Sequence, residues 1–205
     1  RCSAPDSCVT AVLGTLEHFV KGMGIDGFGP KIIEQCHAAG LLSVPGDFFR
    51  LSSADLLLLD RMGNKLASRL LKNIEAARKV PLSHLLRSLG ISDLGEVASK
   101  TVATTFGTIE EVLEATAEEI ADIHGLGEKT GQGISEGLDA KREVVEDLLQ
   151  WLEFEPEDIP ATVEPNDHPL YEKSVLFTGK LATMGRKEAQ ELVKSVGGRA
   201  ASGVS

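Results

Sequence analysis

A short glycine element recurs four times along this 205-residue chain, and its spacing limits the fold more than any other feature of the sequence. The element reads Gly27-Phe28-Gly29, Arg61-Met62-Gly63, Asp93-Leu94-Gly95 and Gly125-Leu126-Gly127, and its second glycines stand 34, 32 and 32 residues apart. Periods of this size mark supersecondary units that share one core. Sliding the chain by 64 residues also lays Ala54 through Arg78 over Glu118 through Arg142, pairing Leu59 with Ile123, Gly63 with Gly127, Lys65 with Lys129 and Arg78 with Arg142. Agreement of this kind is duplication.

Apolar residues flank each element at helical spacing: Ala54, Leu57 and Leu58 precede the second, and Leu66, Leu70, Leu71 and Ile74 follow it. The unit is therefore helix, hairpin, helix. Ser52 or Ser53 ahead of Asp55, Thr108 ahead of Glu110-Glu111, and Thr116 ahead of Glu118-Glu119 are helix-opening signals, with carboxylates at the positive end of the helix dipole. Pro81 suits the start of a helix carrying Leu82, Leu85 and Leu86. The expected fold is mainly α, a tandem of four helix-hairpin-helix units. Pro156, Pro160, Pro165 and Pro169 break the chain beyond it, and the run Glu153, Glu155, Glu157, Asp158 reads as solvated linker. Ser174 to Gly179 then reads as a short strand, and Lys187 to Val196 as an amphipathic helix closed by Gly197-Gly198. So few residues cannot bury a core alone, so a truncated α/β domain is expected there.

The formal charge is −10, which argues against simple electrostatic attraction to nucleic acid. The acidity is concentrated, however: residues 22–100 hold ten Lys and Arg against eight Asp and Glu, residues 101–172 hold three against nineteen, and residues 173–205 six against two. The longest aliphatic run, Leu56 to Leu59, is far short of a membrane span, and no charged-then-apolar signal segment leads the chain, so a soluble intracellular protein is expected.

In such a hairpin the glycines permit a tight turn that side chains resist, and the apolar residue between them plugs the core. The turn opens a helix whose first N–H groups lack intrahelical partners, so amides and the dipole converge on one point suited to a phosphate oxygen. Lys31, Lys65 and Lys129, two residues past the second glycine, can add a charge. Such contacts hold a backbone without reading bases. The candidate phosphate contacts are Gly27, Gly29, Lys31, Arg61, Gly63, Lys65, Gly95, Gly125, Gly127 and Lys129. Two hairpins related by a pseudo-twofold could hold one strand each across the minor groove. Aromatic content of 4% disfavours a surface that stacks single strands. One Gly-x-Gly is by itself an ordinary helix–helix turn; four at near-constant period favour a ligand. Gly27-Gly29 and Gly125-Gly127 are expected to turn most tightly, and the third hairpin, led by Asp93, to be structural.

Cys2 and Cys8 read either as half of a four-cysteine zinc site or as two unpaired thiols near the chain start. Cys36, on a helix, reads as core. His18 reads as packed or capping, and His124 as exposed or phosphate-facing. No nucleophile triad, paired-carboxylate pattern, phosphate-binding Gly-Lys loop or Lys-x-Asp-Gly motif appears, so no catalytic centre is expected.

The order of Cys2…Cys8, Leu16-Glu17-His18-Phe19-Val20, Ile25 to Ile33, Leu89-Gly90-Ile91, Ile123 to Gly127 and Phe177-Thr178-Gly179 resembles the C-terminal part of the bacterial NAD⁺-dependent DNA ligases. The resemblance covers nearly the whole chain. It implies the second half of a four-cysteine zinc finger over 1–20, with Cys2 and Cys8 as metal ligands, and a helix-hairpin-helix DNA-binding domain over 21–150. A linker over 151–170 and the start of a BRCT domain over 171–205 would follow. It also implies that NAD⁺, Mg²⁺ and the adenylated lysine belong to other parts of a parent enzyme, and that this region holds nicked duplex as a monomer in the bacterial cytoplasm, associated with the nucleoid. Lys21-Gly22 departs from the family's usual Ser-Arg, Arg61 from a glycine, and Gly131 from a small alanine. A ligase-like scaffold that recruits partners through BRCT, and a helical domain that contacts protein alone, are the alternatives.

Overall fold

The computed structural model describes residues 9–157, 169–170, 173–176, 185, 189, 192–193 and 199–201. Hairpin 1 joins α1 (Val9–Met23) to α2 (Pro30–Ala38), and hairpin 2 joins α3 (Ser53–Leu57) to α4 (Asn64–Ala76). Hairpin 3 joins α5 (Leu82–Ser88) to α6 (Glu96–Phe106), and hairpin 4 joins α8 (Ala117–Ala121) to α9 (Glu128–Ala140). A 3₁₀ helix (Pro45–Arg50) and α7 (Ile109–Glu114) lie between the hairpins of each pair, and α10 (Arg142–Leu149) follows the last. The elements share one apolar core, in which Leu16, Ile33, Leu70, Leu85, Ile120 and Ile134 are all fully buried. The chain divides into two compact units, residues 1–157 and 158–205.

The local reasons for these helices are the ones the sequence suggests. Ser52 accepts from the Asp55 amide at 3.3 Å while the Asp55 carboxylate accepts from the Ser52 amide at 2.8 Å, and Thr116 with Glu119 repeats the box at 3.2 and 2.8 Å. Thr108 caps α7 through the Glu111 amide at 3.3 Å. Pro81 stands immediately before α5.

The duplication is visible in hydrogen bonds as well as in letters. Arg78 ties the carboxylate of Glu75 and the carbonyl of Phe49; 64 residues on, Arg142 ties Asp139 and the carbonyl of Leu113. The 3₁₀ helix and α7 also begin 64 residues apart, as do α3 and α8, and α4 and α9. Hairpins 1 and 3 repeat at an offset of 66, with Gly24 and Gly90 at φ 72° and 68° after their first helices. Each half thus holds two hairpins. Within the first half, Asn73 on α4 donates to the Asp26 carbonyl in the turn of hairpin 1 at 2.8 Å. Its equivalent on α9, Gly137, closes onto Ile91 in the turn of hairpin 3.

The halves meet where α1 crosses α5. A Cβ on Gly22 would lie 2.5 Å from Ser88 Cα, and Ser88 is the residue 66 positions after Gly22. Arg87 donates to the Gly22 carbonyl at 2.7 Å and His18 Nε2 to the Arg87 carbonyl at 2.9 Å, so His18, though exposed, bonds α1 to α5 at the crossing. A comparable closeness explains Gly131: a Cβ there would meet the Ala117 carbonyl at 2.5 Å, where α9 lies against α8.

Two expected boundaries move. Helix α1 runs unbroken across position 20, with Leu16 and Phe19 fully buried in the helical core, so the helical unit begins upstream of residue 21. The linker begins later than 151. β2 (Glu153–Glu155) pairs in parallel with β1 (Lys79–Pro81), Lys79 bonds Glu153 at 3.0 Å, and Glu157 accepts from the Ser83 amide and hydroxyl at 2.6 and 2.7 Å. Glu153 and Glu155 alternate with Leu152 and Phe154, which pack on the core, so these two glutamates lie on the outer face of a strand. Trp151 stacks on Phe49 and lies under the guanidinium of Arg78, 5.2 Å from its ring centre. In the second unit β3 (Ser174–Leu176) pairs in parallel with β4 (Arg199–Ala201), and Ala189, Leu192 and Val193 are helical between them. Cys2, Cys8, Thr178 and Gly179 lie outside the described residues.

Candidate nucleic-acid interface

The four hairpin turns share one backbone conformation. Their first residues all have positive φ: Gly27 at 95°, Arg61 at 58°, Asp93 at 64° and Gly125 at 90°. The turns led by Arg61 and Asp93 thus adopt the same kind of backbone as the two glycine-led turns expected to be tightest. Arg61 and Asp93 hold the left-handed region as well, at a cost of roughly 1–2 kcal/mol for a side-chain-bearing residue, less for Asp. The next residue points inward, with Phe28 and Leu94 buried and Met62 and Leu126 half-buried. The second glycine is then the N-cap of the following helix: Gly29, Gly63, Gly95 and Gly127 are all extended and offer no side-chain cap.

That last point separates the second arms of the hairpins from α3, α5, α7 and α8, although α10 too opens without a side-chain cap. Helices α3, α7 and α8 have their first amides satisfied by Ser52, Thr108 and Thr116, and α5 by Glu157. Helices α2, α4, α6 and α9 open without such a partner. In α4 the Leu66 and Ala67 amides return to the Gly63 carbonyl, leaving those of Asn64 and Lys65 turned outward at the dipole's positive end. Each of the four helix starts can offer amides to an anionic oxygen, hairpin 1 one fewer than the others because Pro30 at the head of α2 has no N–H.

Charge ranks them. Hairpin 2 carries exposed Arg61 and Lys65; hairpin 1 carries Lys31 and a cleft of about 590 Å³ bordered by Lys21, Glu17 and the turn. In hairpin 4 Lys129 follows Glu128 in sequence, and His124 is exposed. Hairpin 3 has no cation at the equivalent site: Val97, 80% exposed, stands where the others have lysine, beside Asp93 and Glu96. The sequence pointed to hairpins 1 and 4; the structure makes hairpin 2 the most basic. Cys36, buried in α2, has its thiol pushed up to about 11 by burial, which keeps it a neutral core group. Among the described residues no three His, Cys, Asp or Glu side chains gather as metal ligands, and no helix is long and apolar enough to cross a membrane.

Paired, duplicated hairpins with uncapped second helices define a tandem helix-hairpin-helix protein, and residues 84–144 match the helix-hairpin-helix motif family. The chain is 34% identical over its full length to the DNA ligase of Bacillus pumilus, 35% over its full length to that of Oceanobacillus iheyensis, and 34% over 97% of its length to that of Syntrophotalea carbinolica. It spans 30–31% of the length of these relatives. Over all or nearly all of its length the chain is therefore similar to a part of these DNA ligases, and that part includes a helix-hairpin-helix motif.

Proposed function

We propose that this chain grips duplex DNA on behalf of an NAD⁺-dependent ligase that seals nicks, holding phosphates on both sides of the minor groove without sequence preference. The observation that carries the reading is the repetition of one uncapped, left-handed turn at four places in a chain homologous to DNA ligases. Backbone amides do the holding, so a net charge of −10 is no obstacle. Lys31, Lys65 and Lys129 add ion contacts, and Arg61 replaces a turn glycine with a fourth. The adenylation chemistry, with its NAD⁺, lysine and Mg²⁺, falls to residues outside this chain. Cys2 and Cys8 supply two of the four thiolates that a structural zinc requires. Residues from 171 onward form part of a BRCT domain, and the protein works as a monomer in the bacterial cytoplasm.

Titration of the chain with intact and nicked duplexes between about 50 and 200 mM salt tests this, with Lys31→Glu, Lys65→Glu and Lys129→Glu combined as the challenge. All three side chains are exposed, so circular dichroism should be unchanged. Wild-type binding that weakens with salt and is lost in the variant is the expected result. A folded variant that binds as tightly as wild type refutes the reading.

A further inference from the structure

Helices α4 and α9 are the second arms of hairpins 2 and 4 and occupy equivalent places in the duplication, 64 residues apart. Lys65 is matched by Lys129, Glu75 by Asp139 and Arg78 by Arg142, and the last two pairs do the same structural work in both halves. Charge differs at three positions: Asn64 stands where α9 has Glu128, Arg69 where it has Gly133, and Lys72 where it has Glu136. In consequence α4 bears three cations against one carboxylate and α9 one cation against three.

Lys65, Arg69 and Lys72 follow one another at steps of four and three residues, so they line one face of α4, and all three are exposed. None of them makes an ion pair among the described residues. Arg61 heads the row, with a side chain 92% exposed and only Asp60, itself 80% exposed, beside it at 3.6 Å. The packing needs none of these groups: Ala67, Leu70 and Ile74 make the buried face. Like charges at such spacing repel slightly, so the row carries a small cost with no structural return.

We infer that α4 is a phosphate-tracking ridge, with Arg69 and Lys72 carrying the grip of hairpin 2 along the DNA strand past the hairpin itself. Lys65 to Lys72 covers about 10 Å of helix, enough to lie beside more than one phosphate. Hairpins 1 and 2 form the electrostatic anchor, and hairpin 4 holds its phosphate through amides and Lys129 alone. This rests on the DNA-gripping reading above.

The test is the full chain carrying Arg69→Gln and Lys72→Gln, titrated with duplex over a salt series beside wild type and a Lys31→Gln, Lys65→Gln, Lys129→Gln variant. Loss of two phosphate contacts makes the log K against log[salt] slope shallower by roughly 1.8 and weakens binding at 0.1 M salt on the order of tenfold or more. Both side chains are exposed and unpaired, so circular dichroism and thermal midpoint stay at wild-type values. A hairpin-lysine variant that weakens while the ridge variant keeps the wild-type slope overturns the ridge and leaves the reading standing. No binding by wild type at low salt overturns both. Polyglutamate captured by wild type and lost in the ridge variant, with the DNA slope unchanged, overturns it in favour of an acidic protein partner.

Discussion

Alanine at two positions of α1 is expected to move stability in opposite directions. Gly14 is exposed in the helix middle, and a Cβ built on it meets nothing within 4 Å. Replacing it removes the glycine penalty, about 0.5–1 kcal/mol. Gly22 gains the same propensity at most, yet its Cβ would sit 2.5 Å from Ser88 Cα, 2.7 Å from Ser88 Cβ and 2.9 Å from Ser88 N. Carbon contacts are comfortable near 3.5–4 Å. The obstacle is backbone on another helix, so α1 and α5 must separate by about 1 Å. Overpacking costs typically 1–3 kcal/mol, and a backbone obstacle belongs at the upper end. Net, Gly22→Ala should lose about 2 kcal/mol after its propensity gain. At about 2–4 °C per kcal/mol, Gly14→Ala raises the thermal midpoint by roughly 1–4 °C and Gly22→Ala lowers it by roughly 4–8 °C. Calorimetry on the two variants decides it. A Gly22→Ala protein as stable as wild type would show that the halves do not meet at that crossing, and the symmetry argument would go with it.

Arg61→Gly should stabilise the fold by up to about 1 kcal/mol by relieving its positive φ, and make the salt slope for DNA shallower by about 0.9; urea denaturation and titration of one preparation measure both. Arg78→Ala should destabilise more than Arg142→Ala, about 2–3 against 1–2 kcal/mol, because each strips a carbonyl of its partner but Arg78 also covers Phe49 and Trp151; equal losses would refute the role given to the ring contacts. Burial, reinforced by Arg87, holds His84 below the ordinary histidine value, with Glu157 and Glu96 opposing and Lys100 assisting. The unfolded chain therefore takes a proton that the folded one resists: stability is full above about pH 6.5 and falls as pH drops through that value towards the lower folded pKa. Urea midpoints at pH 7.5, 6.5 and 5.5 should show this in wild type and show less of it in His84→Phe; identical slopes in the two proteins would count against it.

The hairpins, their period and most helix starts are legible in the sequence because local chemistry sets them. Ser52, Thr108 and Thr116 need only a nearby amide, and the glycine elements need only their own turn. What the sequence hides is whatever depends on a distant partner. Residues 153–157 look like solvated charge until β1 arrives to pair with them and Ser83 arrives to bond Glu157. Arg61 and Asp93 look like lapses from the turn pattern, yet the surrounding packing imposes the same φ on them as on glycine. Arg69 and Lys72 were available as a helical row, but their meaning depends on knowing that α9, their duplicate, lacks it.

Gly22 and Ser88 are counterparts in the repeat, and they touch. When a residue meets its own copy in an assembly of identical chains, it does so on the twofold axis. The crossing of α1 and α5 thus has the form of a symmetric dimer whose two subunits have become one polypeptide. In a true dimer every substitution occurs twice, and the two sides stay alike. Covalent fusion lifts that constraint: α4 can hold a row of cations while α9 holds carboxylates, and hairpin 3 can carry Val97 where hairpin 1 carries Lys31. A symmetric grip cannot tell one direction along a duplex from the other. An unequal one can, and a nick, with a hydroxyl on one side and a phosphate on the other, is a feature that has a direction.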